Sequence, residues 1–106
     1  MADSPAPPRY CLTLICPPTV EEKVLDLLLS QAHGEVFTST PTRSHGGPHE
    51  RLGADEQVMG RSPATQVNLL LSAEQWGELR AVLQHEFAGV GLRYWATPLV
   101  LDGAFA

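Results

Sequence analysis

The chain has 106 residues, 43% of them hydrophobic and 18% charged, which suits one domain able to bury its own core without disulfide or metal staples. A formal net charge of -5 excludes nucleic acid as a general partner: phosphate binding needs basic residues clustered on one face, and here the single Lys23 lies among Glu21, Glu22 and Asp26 while the arginines are scattered. The longest apolar runs, near Leu27 to Leu29 and Leu69 to Leu71, fall far short of the roughly 20 residues that span a bilayer, so direct membrane insertion is excluded too.

In chain order, residues 1 to 9 begin with the Pro-rich "MADSPAPP" and are expected to form a disordered tail. This opening lacks the basic start and apolar stretch of a secretion signal, so a cytoplasmic location is the expectation. Residues 10 to 106 then make up a single domain. "YCLTLIC" from Tyr10 reads as a buried strand stopped by Pro17 and Pro18. Its spacing puts Cys11 and Cys16 on opposite faces, which suits two separate thiols in a reducing compartment rather than a disulfide or a metal clamp. Thr19 and Glu22 have the spacing of a capping box, and Val20, Val24, Leu27 and Leu28 recur at helical spacing until Gly34.

A short strand is expected in "EVFTS" at 35 to 39, followed by a long connection over residues 40 to 63. "ATQVNLLL" is the next strand, with Val67, Leu69 and Leu71 on one face. Ser72 and Gln75 form a second capping box, and the helix it opens carries Trp76, Leu79, Leu83 and Phe87 on one stripe until Gly89 to Gly91. "LRYWAT" is the last clear strand, broken by Pro98, with "LVL" extending it as an edge piece.

The order strand, helix, strand, strand, helix, strand is a βαββαβ pattern. Right-handed crossovers applied twice place both helices on one face of a four-stranded antiparallel sheet, an α+β, ferredoxin-like sandwich. The other face stays bare. If Leu12, Leu14, Leu70 or Trp95 lie there, the bare face is apolar and calls for self-association.

The connection at 40 to 63 is far longer than the usual hairpin loop, and such loops in small domains carry function or disorder. Arg43, Arg51 and Arg61 in it balance Glu50, Asp55 and Glu56, a composition suited to reversible contact with an anion or a partner. His45 and His49, with Glu50 beside them, are the candidate ligands for zinc or copper if the loop folds around an ion. His33 and His85 fall near helix ends, where an imidazolium meets the helix dipole favourably. Catalytic residues are not expected. Cys16 precedes a helix N-terminus that lowers thiol pKa values, but no oriented base or oxyanion site accompanies it, and the chain is read as not an enzyme.

Taken together, "LTLICPP", "EEKVLDLLL", "DEQVMGR" and "GLRYWATPLV" resemble the PII-like proteins, and more narrowly an uncharacterised bacterial branch of them associated with heavy-metal efflux systems. The resemblance runs from Tyr10 to Gly103. It implies a homotrimer in which the connection between the second and third strands is a projecting T-loop. It also implies a signalling role: an effector held between subunits changes the order of that loop, which then engages or releases a membrane transporter or an enzyme. In nucleotide-binding members the turn before the last strand meets the phosphates of an adenine nucleotide. The corresponding "AGVGLRY" offers Gly89, Gly91 and Arg93 but has no Lys and lacks the longer glycine-rich pattern. The efflux association keeps a divalent metal ion open as the alternative ligand.

Overall fold

The computed structural model describes residues 8 to 31, 35 to 46 and 61 to 105, with Arg61 described only by its place in a strand. Six elements follow in order: β1 Arg9–Cys16, α1 Glu21–Gln31, β2 Phe37–His45, β3 Arg61–Ser72, α2 Ala73–Phe87 and β4 Arg93–Pro98. The sheet order is β2-β3-β1-β4 and every pairing is antiparallel. This is the ferredoxin-like βαββαβ sandwich expected from the alternation of strand and helix signals.

The pleat sorts the side chains. Leu12, Leu14 and Cys16 of β1 stand opposite Leu69, Val67 and Thr65 of β3, and all but Thr65 are buried with Val24 and Leu28 of α1 and Leu79, Leu83 and Phe87 of α2. That is the core, and each of its large side chains contributes roughly 1.5–3 kcal/mol over the exposed state. Leu12 and Leu14 therefore belong to the covered face, whereas Leu70 and Trp95 lie on the bare one, opposite Cys11 and Thr13. The bare face is more polar than expected. It carries Thr13, whose Oγ1 donates to Asn68 Oδ1 at 2.7 Å, with Trp95 next to Thr13 in β4 and 49% exposed.

Local chemistry explains the helix ends unequally. At α2 both halves of the capping box are made: Gln75 N–H donates to Ser72 Oγ at 3.1 Å, and the Ser72 N–H donates to Gln75 Oε1 at 2.8 Å. At α1 the expected Thr19–Glu22 box is not formed. A turn with Val20 N–H on the Pro17 carbonyl at 3.2 Å comes first, and Val20 itself accepts the first helical bond, from Val24, at 2.9 Å. Two consecutive prolines force that turn before the helix can begin.

Four boundaries also differ from the sequence reading. Arg9 is in β1 rather than in a tail, since it pairs with Ser72 and its Nε lies 3.1 and 3.2 Å from the Asp102 carboxylate oxygens. The strands flanking the long connection are longer than expected: β2 runs on to His45 and β3 already starts at Arg61, so the span of 40 to 63 shortens to residues 46 to 60. Pro41 and Pro63 are tolerated because β2 is an edge strand and β3 has outrun β1 at Pro63, leaving each with a side that needs no ladder donor. At the other end "LVL" does not extend β4. Leu99 N–H reaches the Arg9 carbonyl at 2.9 Å, and the chain then leaves the ladder.

Candidate functional site

The loop ends of the sheet meet the candidate ligand residues at one end only, where β1 finishes at Cys16 and β3 and β4 begin. Arg93 opens β4 opposite Ile15 and is exposed on the bare face. Before it, Ala88 has φ -62° and ψ 133°, Gly89 has φ 82°, and Val90 N–H reaches the Phe87 carbonyl at 3.4 Å, the geometry of a type II turn. That turn accounts for Gly89 by its left-handed φ. Gly91, at φ 88°, continues the same irregular path into β4.

On the far edge, Arg43 stands opposite Pro63 and His45 opposite Arg61, past the last pair that β3 makes with β1, Thr65 with Cys16. At about 3.4 Å per residue the hairpin carries Arg43 roughly 7 Å and His45 roughly 14 Å beyond the end of β1. Arg43 and His45 are exposed. The hairpin edge and the β4 edge are three strand spacings apart, roughly 14 Å. Within the chain, then, the structure brings Gly89, Gly91 and Arg93 together and leaves Arg43 and Arg61 on the other side.

Arg51, His49 and Glu50 lie outside the described residues, and so does His33. Of the proposed metal ligands only His45 is placed, and among the described residues no three His, Cys, Asp or Glu side chains converge. His85 is in the last turn of α2, as its helix-end reading expects.

Cys16 has no thiolate character. Its side chain is fully buried, and burial first, then the nearby Glu21 carboxylate, pushes the thiol up from 9.0 to about 11. The helix N-terminus does not overcome this, because α1 begins only after the Pro17–Val20 turn and brings Glu21 with it. The Glu21 carboxylate accepts a hydrogen bond from Thr65 Oγ1, which ties the start of α1 to the sheet end. Both cysteines are free.

Sequence reasoning missed a cleft of about 630 Å³ on the helix side of the Gly89 turn, open to solvent and lined by Trp76, Arg80, Gln84, Gly89 and Tyr94. Trp76 and Tyr94 meet there with ring centroids 4.9 Å apart and planes tilted by 50°. Arg80 and Gln84 follow Trp76 at intervals of four residues on α2, a helical-face signal visible in the sequence but without the β4 partner that makes it a cleft.

A four-stranded sheet with two helices on one face, a projecting β2–β3 hairpin and a glycine turn before β4 defines the PII-like fold. The chain belongs to the DUF3240 family, proteins of unknown function, whose family profile matches residues 6–106. No curated protein matches it. Among solved structures it is similar to a DUF3240 family protein from Shewanella baltica OS155, with TM-score 0.74, 16% identity and coverage of 92% of this chain and 97% of that one. It is also similar to CPII, a nitrogen regulatory PII-like protein from Thiomonas intermedia K12 bound to ADP, AMP and bicarbonate, with TM-score 0.68, 15% identity and coverage of 92% and 97%. The periplasmic divalent cation tolerance protein CutA from Archaeoglobus fulgidus shares the fold, with TM-score 0.64, 12% identity and coverage of 89% and 86%. No helix among the described residues is long and apolar enough to cross a membrane.

Proposed function

We propose that this chain is a PII-like regulatory subunit that binds a small anionic effector in the cleft between copies of a homotrimer and signals through the β2–β3 connection to a partner transporter or enzyme. One observation carries the reading. The two groups of candidate residues, Arg43 and Arg61 on the hairpin and Gly89, Gly91 and Arg93 at β4, sit at the same end of the sheet but on opposite edges. Copies arranged around an axis bring the hairpin of one beside the β4 edge of the next, so two half-sites make one site. Effector binding across that joint favours one arrangement of the hairpin, and the population shift is the signal.

The likeness to the Thiomonas protein suggests an adenine nucleotide or bicarbonate as the effector class. Two free cysteines on opposite faces of β1 fit a reducing compartment such as the cytoplasm. The second reading, a zinc- or copper-binding accessory protein, is favoured by the exposed His45 at the tip of β2 and by the likeness to a cation tolerance protein.

Thermal unfolding of the metal-stripped protein against ADP, ATP, AMP, bicarbonate, zinc and copper tests both readings. A ligand at about a hundred times its dissociation constant adds about 2.7 kcal/mol. Stabilisation by a nucleotide or bicarbonate, lost in Arg43→Ala and in Arg93→Ala, is the expected result. Stabilisation by a metal alone, lost when His45 and His49 are replaced by Ala, replaces the first reading with the second, and a flat response to the whole panel removes both.

A further inference from the structure

The cleft between α2 and β4 takes no part in the effector site proposed above. Arg93 stands on the bare face of the sheet, whereas its neighbour Tyr94 pairs with the buried Leu14 and so faces the helices. α2 does not reach across to cover this side of β4. Every residue of β4 is exposed, Tyr94 to 52%. The result is an open trough of about 630 Å³ along the β4 side of α2, floored by Leu83, Phe87 and Leu92 and lined throughout by described residues.

Its walls combine rings, one cation and one amide. Trp76 packs against the core, which accounts for its place, but Tyr94 adds a half-exposed ring only 4.9 Å from it at the mouth of the trough. Arg80 is exposed and lacks the usual helix-face partner. The residues three or four away from it are Trp76, Gly77, Leu83 and Gln84, none of them acidic. Glu74, Glu78 and Glu86 of the same helix fall at other intervals, and Glu78 lies on the α1 side. Among the described residues the one ion pair is Arg9–Asp102, so Arg80 brings an unmatched positive charge to the trough of a chain whose net charge is -5. α2 rises about 6 Å from Trp76 to Arg80 and as much again to Gln84, so rings, guanidinium and amide follow one another along one wall.

We infer that this trough binds a small planar aromatic carboxylate, with its ring against Trp76 and Tyr94, its carboxylate on the Arg80 guanidinium and the Gln84 amide as a second donor. Burial against the rings supplies affinity, and the charge-assisted bond selects the anion. A ring system and a carboxylate about 6 Å apart describe a two-ring arylacetate rather than a benzoate. A nucleoside diphosphate fits less well. It brings further negative charges for which the trough has no cation, and the carbonyl end of α2 beside Gly89 disfavours them. The site goes beyond the effector reading and does not depend on it.

The two tryptophans of the chain lie on opposite faces, Trp76 in the trough and Trp95 on the bare face. In proton–nitrogen NMR spectra of the isotope-labelled full chain, their indole N–H signals therefore report the two faces separately. The probes are indole-3-acetate, its neutral amide indole-3-acetamide and the cation tryptamine. The acid is expected to move the Trp76 signal and leave that of Trp95 in place, with an affinity about tenfold above the amide and a larger margin over tryptamine. In Arg80→Gln, a change at an exposed helix position, acid and amide are expected to bind alike. A Trp76 signal unmoved by millimolar acid overturns the proposal. So does movement of Trp95 instead, equal binding of the three probes, or a preference for the acid that survives Arg80→Gln. ADP separates the trough from the effector site: a Trp76 shift as large with ADP as with the acid overturns a separate site, and Trp76 left in place by ADP supports it.

Discussion

Gly89 shows how a residue suggestive of ligand binding answers first to backbone geometry. Its φ of 82° fills the third position of a type II turn, and an added Cβ would meet nothing within 4 Å, so the whole cost of a side chain there is conformational. Gly89→Ala is expected to destabilise by about 1–2 kcal/mol, read as a lower urea midpoint at constant slope. Cys16 carries the opposite lesson about position. Because the folded state holds its proton more tightly than the unfolded state, its contribution is complete below about pH 9 and is lost as the pH rises through about 11. Between those limits the loss is about 1.4 kcal/mol per pH unit. Alkaline unfolding curves of the wild type and Cys16→Ala are expected to converge across that window; parallel curves would mean that the buried thiol does not titrate there.

Among the elements, the two helices are specified differently. α2 starts on a complete capping box, and Ser72→Ala is expected to cost about 1 kcal/mol in denaturant titrations. α1 has only the Pro17–Val20 turn and the Glu21–Thr65 bond to locate its start, so its position depends on burying Val24 and Leu28 against the sheet. Leu28→Ala is accordingly expected to cost about 2–5 kcal/mol, more than any surface change in the same helix. The β2–β3 hairpin is specified least by its own residues. Pro41 and Pro63 are poor strand formers and Arg43, Ser44 and Ser62 are not among the favoured ones, so cross-strand pairing holds in a ribbon what local propensity would leave as loop.

For the whole molecule, the proposed assembly would act on three features of the single chain: a bare sheet face with Trp95 half exposed, the exposed Val100, Leu101 and Phe105, and candidate ligand residues split between two edges. If copies complete one another, the melting temperature rises with protein concentration. Asp102→Asn is a sensitive probe of the same idea. The Arg9–Asp102 pair is partly exposed and worth at most about 1 kcal/mol within a subunit, so a change in assembly out of proportion to the change in unfolding would locate its role at the joint between copies.

Strand and helix identities, the stripe of Leu79, Leu83 and Phe87, the Ser72 cap, the inward set Val67, Leu69 and Leu71 and the opposed cysteines were all legible in the sequence by itself. Each depends on spacing within one element or on chemistry within a few residues. The βαββαβ topology was legible too, because handedness leaves few ways to arrange those elements. Tertiary structure alone decided the reach of β2 and β3, the burial of Leu12 and Leu14 beneath the helices, the loss of the Thr19 cap to a proline turn, the raised Cys16 pKa and the cleft that joins Arg80 to Tyr94. Those properties arise between segments distant in the chain, where pairing, burial and desolvation outweigh local preference.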